Sequence, residues 1–129
     1  MSNNSPPKFE AIIYEVTGHV ATITLDRPEM ANAQNTQLID EVDAAFDLAD
    51  ADDHVRVVVL AGSGQHFSSG HDLKALVGDT EPDEWRLMRE TPEGKYHHEK
   101  VMYFDRCLRI RDFRKPTIAA VQGKCIAAG

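Results

Sequence analysis

The stretch from residue 57 to residue 74, VVVLAGSGQHFSSGHDLK, holds the residue types from which a reactive site can be built. It begins with an apolar, β-branched run at residues 57–60 and ends at residues 70–74, which are typical of the first turn of a helix. A buried strand that leads through a glycine-bearing loop into a helix leaves backbone N–H groups unpaired in a pocket. Such groups bind an oxygen that is negative or becomes negative during a reaction. We therefore predict one half of an oxyanion hole here.

A second segment of the same kind lies at the end of the chain. Ala127, Ala128 and Gly129 follow the turn after another apolar run, at residues 117–121. If the two strands are parallel neighbours, both loops leave the sheet at the end where ligands bind in α/β folds. Backbone N–H groups from both loops then converge on one carbonyl oxygen, and loss of one such donor typically costs about 3–4 kcal/mol of barrier. Two ordinary strand-to-helix turns are the alternative interpretation.

The sequence contains the residue types of three other kinds of site, but these residues do not have the spacing that such sites need. The G-x-G-x-x-G pattern of dinucleotide sites needs a glycine where Phe67 stands, and no Gly-Lys pair completes a phosphate-binding loop. The serines and histidines of residues 66–72 are crowded, whereas a catalytic triad meets from separated segments. His97 and His98 are adjacent on a predicted helix and point apart, and no zinc-ligand spacing appears. We expect no metal site, and we expect these histidines to be solvated or in loops.

Composition limits the class of protein. The chain has 129 residues and a net charge of −7, which argues against general nucleic-acid binding. No apolar run approaches the roughly 20 residues of a membrane span. Residues 1–10 are typical of a disordered lead-in without a signal-peptide core. Cys107 and Cys125 form no C-x-x-C pair, so we expect two reduced, packed thiols and, by default, a cytoplasmic location.

The elements that must position the site follow from periodicity. Residues 11–16 and 19–25 predict a hairpin across Thr17-Gly18. Residues 36–51 predict a helix, capped by Asn35 or Thr36, with a solvated acidic face and one apolar stripe: Leu38, Ile39, Val42, Ala45, Phe46 and Ala49. Residues 56–61 predict the strand that enters the candidate site.

The later elements are predicted more simply. We expect a loop at 77–83, a short helix at 84–89, a break at 91–94, a long helix at 97–113 and a short buried strand at 117–121. Strands alternating with helices predict an α/β layered fold with a partly parallel sheet. A strand, turn and glycine normally lead into a further helix, so we expect residues 11–129 to be the N-terminal part of a longer domain.

Four motifs make the chain resemble the crotonase superfamily, also called the enoyl-CoA hydratase/isomerase family. They are LDRP at 25–28 with Asn32-Ala33 after it, VVVLAG at 57–62, FSSGHDLK at 67–74 and KPTIAAVQG at 115–123. The resemblance implies a ββα-repeat spiral, incomplete at the C-terminus here, and usually a homotrimer or a hexamer. It implies an acyl-CoA thioester as ligand and no separate cofactor, because coenzyme A is part of the substrate.

The resemblance also implies roles for individual residues. The backbone N–H groups of His71 and Ala128 correspond to the two donors to the thioester oxygen. The segment Ser69, Gly70, His71, Asp72, Leu73 and Lys74 corresponds to the lining of the CoA groove, with Lys74 a candidate phosphate contact. Arg27, Met30 and Ala31 stand where family members meet the pantetheine and the CoA phosphates.

Two departures limit the reaction that can be predicted. Many hydratases have alanine where this chain has His71, whose imidazole either narrows the pocket, donates a hydrogen bond or points away. The acid/base carboxylates of the family are expected beyond Gly129. We therefore predict an enoyl-CoA hydratase or isomerase, and keep as the alternative a non-catalytic acyl-CoA-binding or assembly subunit of the same fold.

Overall fold

A four-stranded mixed sheet organises the chain, of which the computed structural model describes residues 7–77 and 82–129. Its strands, in spatial as in chain order, are β1 (Ile12–Thr17), β2 (Val20–Leu25), β3 (Val57–Gly62) and β4 (Thr117–Ala120). Strands β1 and β2 form an antiparallel hairpin, whereas β2–β3 and β3–β4 are parallel. The predicted hairpin and the predicted parallel neighbours are confirmed.

Helices occupy the connections between the strands. A 3-10 turn at Pro28–Met30 follows β2, and a π-helical turn at Lys100–Phe104 interrupts the last helical region. The α-helices are α1 (Thr36–Ala51), α2 (Leu73–Val77), α3 (Asp83–Met88), α4 (Pro92–Glu99) and α5 (Asp105–Arg111). The predicted loop at 77–83 is shorter in the structure, because Val77 ends α2 and Asp83 begins α3; residues 78–81 lie outside the described residues.

Helix α1 has the predicted bounds and covers the sheet with its apolar stripe. The Asn35 side chain caps it by accepting a hydrogen bond from the Leu38 N–H at 2.9 Å. Five residues of the stripe are buried, namely Leu38, Val42, Ala45, Phe46 and Ala49. They join inward-facing residues of the sheet, among them Ala21, Ile23 and Val58, in one core.

The start of the described chain is attached to this core. Phe9 packs against the buried cluster, and the N–H groups of Glu10, Ala11 and Ile12 donate to the Glu41 carboxylate on α1. Residues 1–6 lie outside the described residues, so the boundary at residue 10 stays a prediction.

The acidic face of α1 differs from the prediction. Arg106 pairs with Asp40 at 2.7 Å, and Arg109 pairs with Asp43 at 2.5 Å and also with Asp47. Both arginines are on α5, which lies beside α1. The expected purely solvated face is therefore wrong, because long-range packing brings guanidinium groups to carboxylates that the local pattern leaves exposed.

The predicted helix at 97–113 is present with other bounds: it ends at Arg111, and a π-helical turn interrupts it. The helical region begins at Pro92, where Thr91 caps α4 by accepting from the Gly94 N–H at 3.0 Å. The π-helical turn holds one more residue than an α-turn and so rotates the apolar face. His98 and Met102 are buried, whereas Phe104 is 59% exposed.

Two expectations of burial fail at the end of the chain. All four residues of β4 are exposed in the described structure, although the sequence predicted a buried strand. Cys107 and Cys125 are free and exposed rather than packed. Both errors arise because an apolar composition shows that a residue can be buried, but only the neighbouring elements provide the cover.

Candidate active site

The loops that follow β3 and β4 stay paired beyond the sheet. Ser68 and Cys125 form an isolated parallel bridge. The Ser68 N–H donates to the Lys124 carbonyl oxygen at 3.2 Å, and the Ile126 N–H donates to the Ser68 carbonyl oxygen at 3.1 Å. Because β3 and β4 are parallel, both loops leave the same end of the sheet, and this pairing keeps the segments after them side by side.

Gly70 lies against the second loop. Its φ of +90° lies in the region that glycine adopts without steric penalty. A Cβ at this position would lie 2.7 Å from the Ile126 carbonyl oxygen and 3.6 Å from the Ala128 nitrogen. Only a residue without a side chain fits between the loops, and the next residue, His71, is therefore beside the second loop.

The two predicted donor amides are both unpaired. Across residues 7–77 and 82–129, neither the His71 N–H nor the Ala128 N–H donates to a protein acceptor. Their neighbours do: the Gly70 N–H donates to Ser68 Oγ at 3.1 Å, and the Gly129 N–H donates to the Ile126 carbonyl oxygen at 2.8 Å. No acceptor of the described chain uses these two N–H groups, so both are available to an external oxygen.

A cavity of about 800 Å³ opens next to these amides. His71, Ala128 and Gly129 line it together with apolar side chains of α1, the sheet and the interrupted helix, including Leu38, Val42, Phe46, Leu60, Phe67, Met102 and Ile110. A concave, mostly apolar space with a few convergent polar groups is the usual form of a small-molecule site. The described residues can thus accommodate an apolar group next to two hydrogen-bond donors.

The His71 imidazole stacks on Tyr103, with ring centroids 4.1 Å apart and an angle of 29° between the planes. Tyr103 in turn meets His98 edge to face at 5.8 Å, and His98 meets Trp85 at 5.1 Å. His98 is 2% exposed, so the expected solvated or loop histidine is wrong there. The local sequence carried no signal for this aromatic row, because its contacts join the loop after β3, helix α3 and the helical region that begins at Pro92.

Arg27 and Asp72 join the loop after β2 to the loop after β3. The two terminal guanidinium nitrogens of Arg27, Nη1 and Nη2, each lie 3.1 Å from Asp72 Oδ2, and Nη1 also donates to the Ala33 carbonyl oxygen. Burial by itself raises the pKa of Asp72, but hydrogen bonds from the Ala75 N–H, Arg27 and the Lys74 N–H outweigh it and lower the pKa below the ordinary value. The Asp72 carboxyl is therefore ionised at neutral pH, and its ion pair with Arg27 fixes the residue that follows His71.

Asp72 also occupies the start of α2. Its Oδ1 accepts hydrogen bonds from the N–H groups of Lys74 and Ala75, at 3.1 and 3.2 Å. The sequence suggested that the positive end of a helix beginning near His71 assists an anionic ligand. That suggestion is wrong for this end, because the chain's own carboxylate already satisfies it.

The remaining predicted site residues lie on the rim of the same region. Ala31 has φ +50°, and its carbonyl oxygen accepts from the Ser69 N–H at 2.9 Å; the Ser69 hydroxyl donates to the Met30 carbonyl oxygen at 3.5 Å. Leu73 is 69% exposed and Lys74 is exposed. The structure therefore brings the predicted residues into one neighbourhood, with Leu73 and Lys74 facing solvent.

Asn32 is a structural support that the sequence did not assign. It is fully buried, accepts a hydrogen bond from the Arg27 N–H at 2.8 Å, and donates to the carbonyl oxygens of Ser63 and His66 at 2.8 and 2.9 Å. A buried amide that links two loops rigidifies both. The sequence signal that could have indicated this role is that Asn32 belongs to the Asn32-Ala33 motif.

The described parts of the chain offer neither a metal site nor a membrane-spanning helix. No group of three or more histidine, cysteine, aspartate or glutamate side chains is placed to hold a metal ion among the residues described. Within those same residues, no helix has the length and apolar character needed to cross a bilayer.

The comparisons with known proteins agree with this geometry. The chain belongs to the enoyl-CoA hydratase/isomerase family, which matches residues 15–129. It is 43% identical to the Mycobacterium tuberculosis protein described as "putative enoyl-CoA hydratase EchA13", over 96% of this chain and 43% of that protein. It is 36% identical to a probable enoyl-CoA hydratase of Rhizobium meliloti, over 94% of this chain and 42% of that protein.

Solved structures give the same result. A probable enoyl-CoA hydratase from Mycobacterium thermoresistibile superposes with a TM-score of 0.77 at 47% identity, over 92% of this chain and 44% of that one. One from Mycobacterium smegmatis has the same TM-score at 45% identity, over 91% of this chain and 43% of that one. The chain thus spans less than half the length of these relatives. The predicted family and its fold, a crotonase-like α/β architecture present in part, are confirmed.

Proposed function

We propose that the complete protein binds a 2-enoyl-CoA thioester and acts on it as a hydratase or an isomerase. The observation that carries this proposal is the pair of backbone N–H groups, at His71 and Ala128, that lie on adjacent loops beside one apolar cavity and donate to no acceptor within the described residues. The names of the similar proteins, which are enoyl-CoA hydratases, support the choice of substrate.

The proposed role of the amides is to stabilise negative charge. When water adds to the β-carbon, or a proton leaves the γ-carbon, electron density moves onto the thioester oxygen and an enolate forms. Two fixed N–H donors stabilise that oxygen more in the transition state than in the substrate, which raises kcat. The proton transfers require acid/base groups in addition to these amides.

The proposed coenzyme A contacts lie on the loops around the amides. Lys74 is exposed and remains our candidate for a phosphate contact, with Leu73 beside it. Ser69, Gly70, Asp72, Met30 and Ala31 complete the proposed groove. Arg27 is 18% exposed and already bound to Asp72, so we propose that it supports the groove by holding that carboxylate.

The test is the turnover of 2-enoyl-CoA by the complete protein and by Gly70→Ala. A methyl group at residue 70 meets the Ile126 carbonyl oxygen at 2.7 Å and moves the loops apart, so kcat is expected to fall by about 100-fold or more. Gly18→Ala is the matched control, because Gly18 also has a positive φ, +59°, but a Cβ there has nothing within 4 Å. It is expected to lose some stability and keep its kcat.

The outcomes separate the candidate functions. Turnover that Gly70→Ala abolishes and Gly18→Ala retains supports the proposal. Binding of 2-enoyl-CoA without any reaction identifies instead a non-catalytic acyl-CoA-binding subunit. A complete protein that neither binds nor converts any acyl-CoA overturns the proposal.

Assembly and location are proposals of the same kind. A homotrimer or a hexamer agrees with the exposure of large apolar side chains such as Leu87, Tyr96 and Phe104. Two free thiols agree with a reducing cytoplasm, and an enoyl-CoA substrate agrees with a role in fatty acid metabolism.

A further inference from the structure

Gln34 is attached to both loops that carry the unpaired amides. Its backbone forms a parallel bridge with His71: the Gln34 N–H donates to the Gly70 carbonyl oxygen at 2.8 Å, and the Asp72 N–H donates to the Gln34 carbonyl oxygen at 2.9 Å. Its side chain reaches the other loop, where Nε2 donates to the Ala128 carbonyl oxygen at 2.9 Å.

None of these three hydrogen bonds uses the His71 N–H or the Ala128 N–H. They fix the backbone groups next to those two donors. The Gly70 carbonyl and the His71 N–H belong to one trans peptide group, in which they point in opposite directions. Because the Gln34 N–H bonds that carbonyl, the His71 N–H points away from Gln34. The side-chain bond fixes the carbonyl group of Ala128, which is bonded to the same Cα as the Ala128 N–H. One residue therefore constrains the direction of both donors.

The two backbone bonds do not depend on the residue type at position 34, but the bond to Ala128 does. It needs a side chain with an N–H donor and the length of glutamine, and it joins residues 94 positions apart. The local sequence MANAQNTQ gives no sign of it, since a glutamine before a helix cap is equally suited to a solvated loop.

We propose that the Gln34 carboxamide is a positioning residue for the oxyanion hole, which sets the second donor loop at the distance from the first that a thioester oxygen requires. This inference rests on the proposed function. A donor that is displaced by a fraction of an ångström loses most of its effect on the transition state, whereas substrate binding, which uses many other contacts, changes little.

The experiment compares the complete protein with Gln34→Leu and Gln34→Glu. Leucine removes the donor and places an apolar side chain at the cavity wall. Glutamate has the shape of glutamine but places an acceptor against the Ala128 carbonyl oxygen. We expect kcat for 2-enoyl-CoA to fall about 10–100-fold with KM changed less than about 3-fold, since the lost interaction acts in the transition state. Gln65→Leu is the matched control, because Gln65 is exposed and its side chain has no partner among the described residues.

A spectroscopic readout separates positioning from general loosening of the fold. A chromophoric cinnamoyl-CoA bound in an oxyanion hole absorbs at longer wavelength, because the donors polarise its conjugated carbonyl group. The shift is expected in the parent protein and in Gln65→Leu, and to be smaller in both Gln34 variants. Thermal unfolding followed by circular dichroism checks that the variants are folded; if Gln34→Leu is not, Gln34→Glu decides.

The results distinguish this inference from the function on which it rests. No binding and no shift in the parent protein overturns the proposed function itself. A shift in the parent that the folded Gln34 variants retain in full, with kcat within about 2-fold, overturns the role of Gln34 alone.

Discussion

His71 contributes to the site in two ways that a substitution can separate. Its backbone N–H is the proposed donor and persists with any side chain except proline, whereas its imidazole stacks on Tyr103 at the cavity wall. The sequence left three roles open for the imidazole: narrowing the pocket, donating a hydrogen bond or pointing away. Its stacking on Tyr103, another residue that lines the cavity, agrees with the first of these.

The substitution His71→Ala tests whether the imidazole takes part in the chemistry. We expect kcat for a short 2-enoyl-CoA to change by less than about 10-fold, because the polarising donor belongs to the backbone. We also expect longer or broader acyl chains to bind better once the ring is removed. Steady-state kinetics over a series of acyl chain lengths provides the measurement. A loss of kcat comparable to that of Gly70→Ala, with an unchanged fold, would instead assign a proton or hydrogen bond to the imidazole.

At the scale of elements, the loops after β2, β3 and β4 are held by pairs of residues far apart in the chain. Arg27 and Asp72 are 45 positions apart and join the first two loops, and Asn32 adds a buried amide between them. The loop containing His71 is therefore supported by residues that do not line the cavity. Such support keeps a backbone donor in place without contacting the ligand.

The Arg27–Asp72 pair predicts a stability that depends on pH. The lowered pKa of Asp72 means that its stabilising effect is complete above the ordinary carboxyl range, near pH 4, and is lost as pH falls through the lowered value. We expect Asp72→Asn to reduce the free energy of unfolding by about 1–3 kcal/mol at pH 7, and by less at pH 3. Urea denaturation of the complete protein at both pH values measures the difference.

Asp105→Asn is the control for this prediction. Asp105 also has an ion pair, with Lys100 at 2.7 Å, but both side chains are nearly half exposed. Exposed pairs contribute about 0–1 kcal/mol, so this variant is expected to change little. Equal effects of the two substitutions would contradict the idea that burial makes the Asp72 pair important.

At the scale of the whole molecule, the described chain has a buried core between α1 and one face of the sheet, but much apolar surface elsewhere. Ile118 on β4 is 55% exposed, Val121 is 51% exposed and Ile126 is 48% exposed. These three lie on or after the edge strand, where unpaired backbone groups also favour association with other chains. Exposure of this apolar surface to water is unfavourable, so we expect the surface near the candidate site to associate with other chains.

The 129-residue chain produced alone is expected to be poorly stable and to associate. Thermal unfolding followed by circular dichroism is expected to lack a sharp transition, and size-exclusion chromatography to reveal oligomers or aggregates. The complete protein provides the control for both measurements. A cooperative unfolding transition from a monomeric 129-residue chain would contradict this prediction.

The local sequence was sufficient to predict the elements whose apolar residues recur at a regular period. Helix α1 was predicted residue for residue, since its apolar stripe and its Asn35 cap are properties of a single segment. The hairpin and β3 were predicted to within a residue or two for the same reason. The motif residues placed the two donor loops at the ends of parallel strands, and the pairing of β3 with β4 confirms that arrangement.

The sequence by itself determined the family, the order of the elements and the segments that form the candidate site, because these depend on short motifs and on hydrophobic periodicity. Tertiary structure alone decided that Gln34 reaches Ala128, that Arg27 binds Asp72 and that His98 is buried. Each of these depends on where distant segments meet in space. The free energy of such a contact depends on burial and exact geometry, and neither quantity is present in the local order of residues.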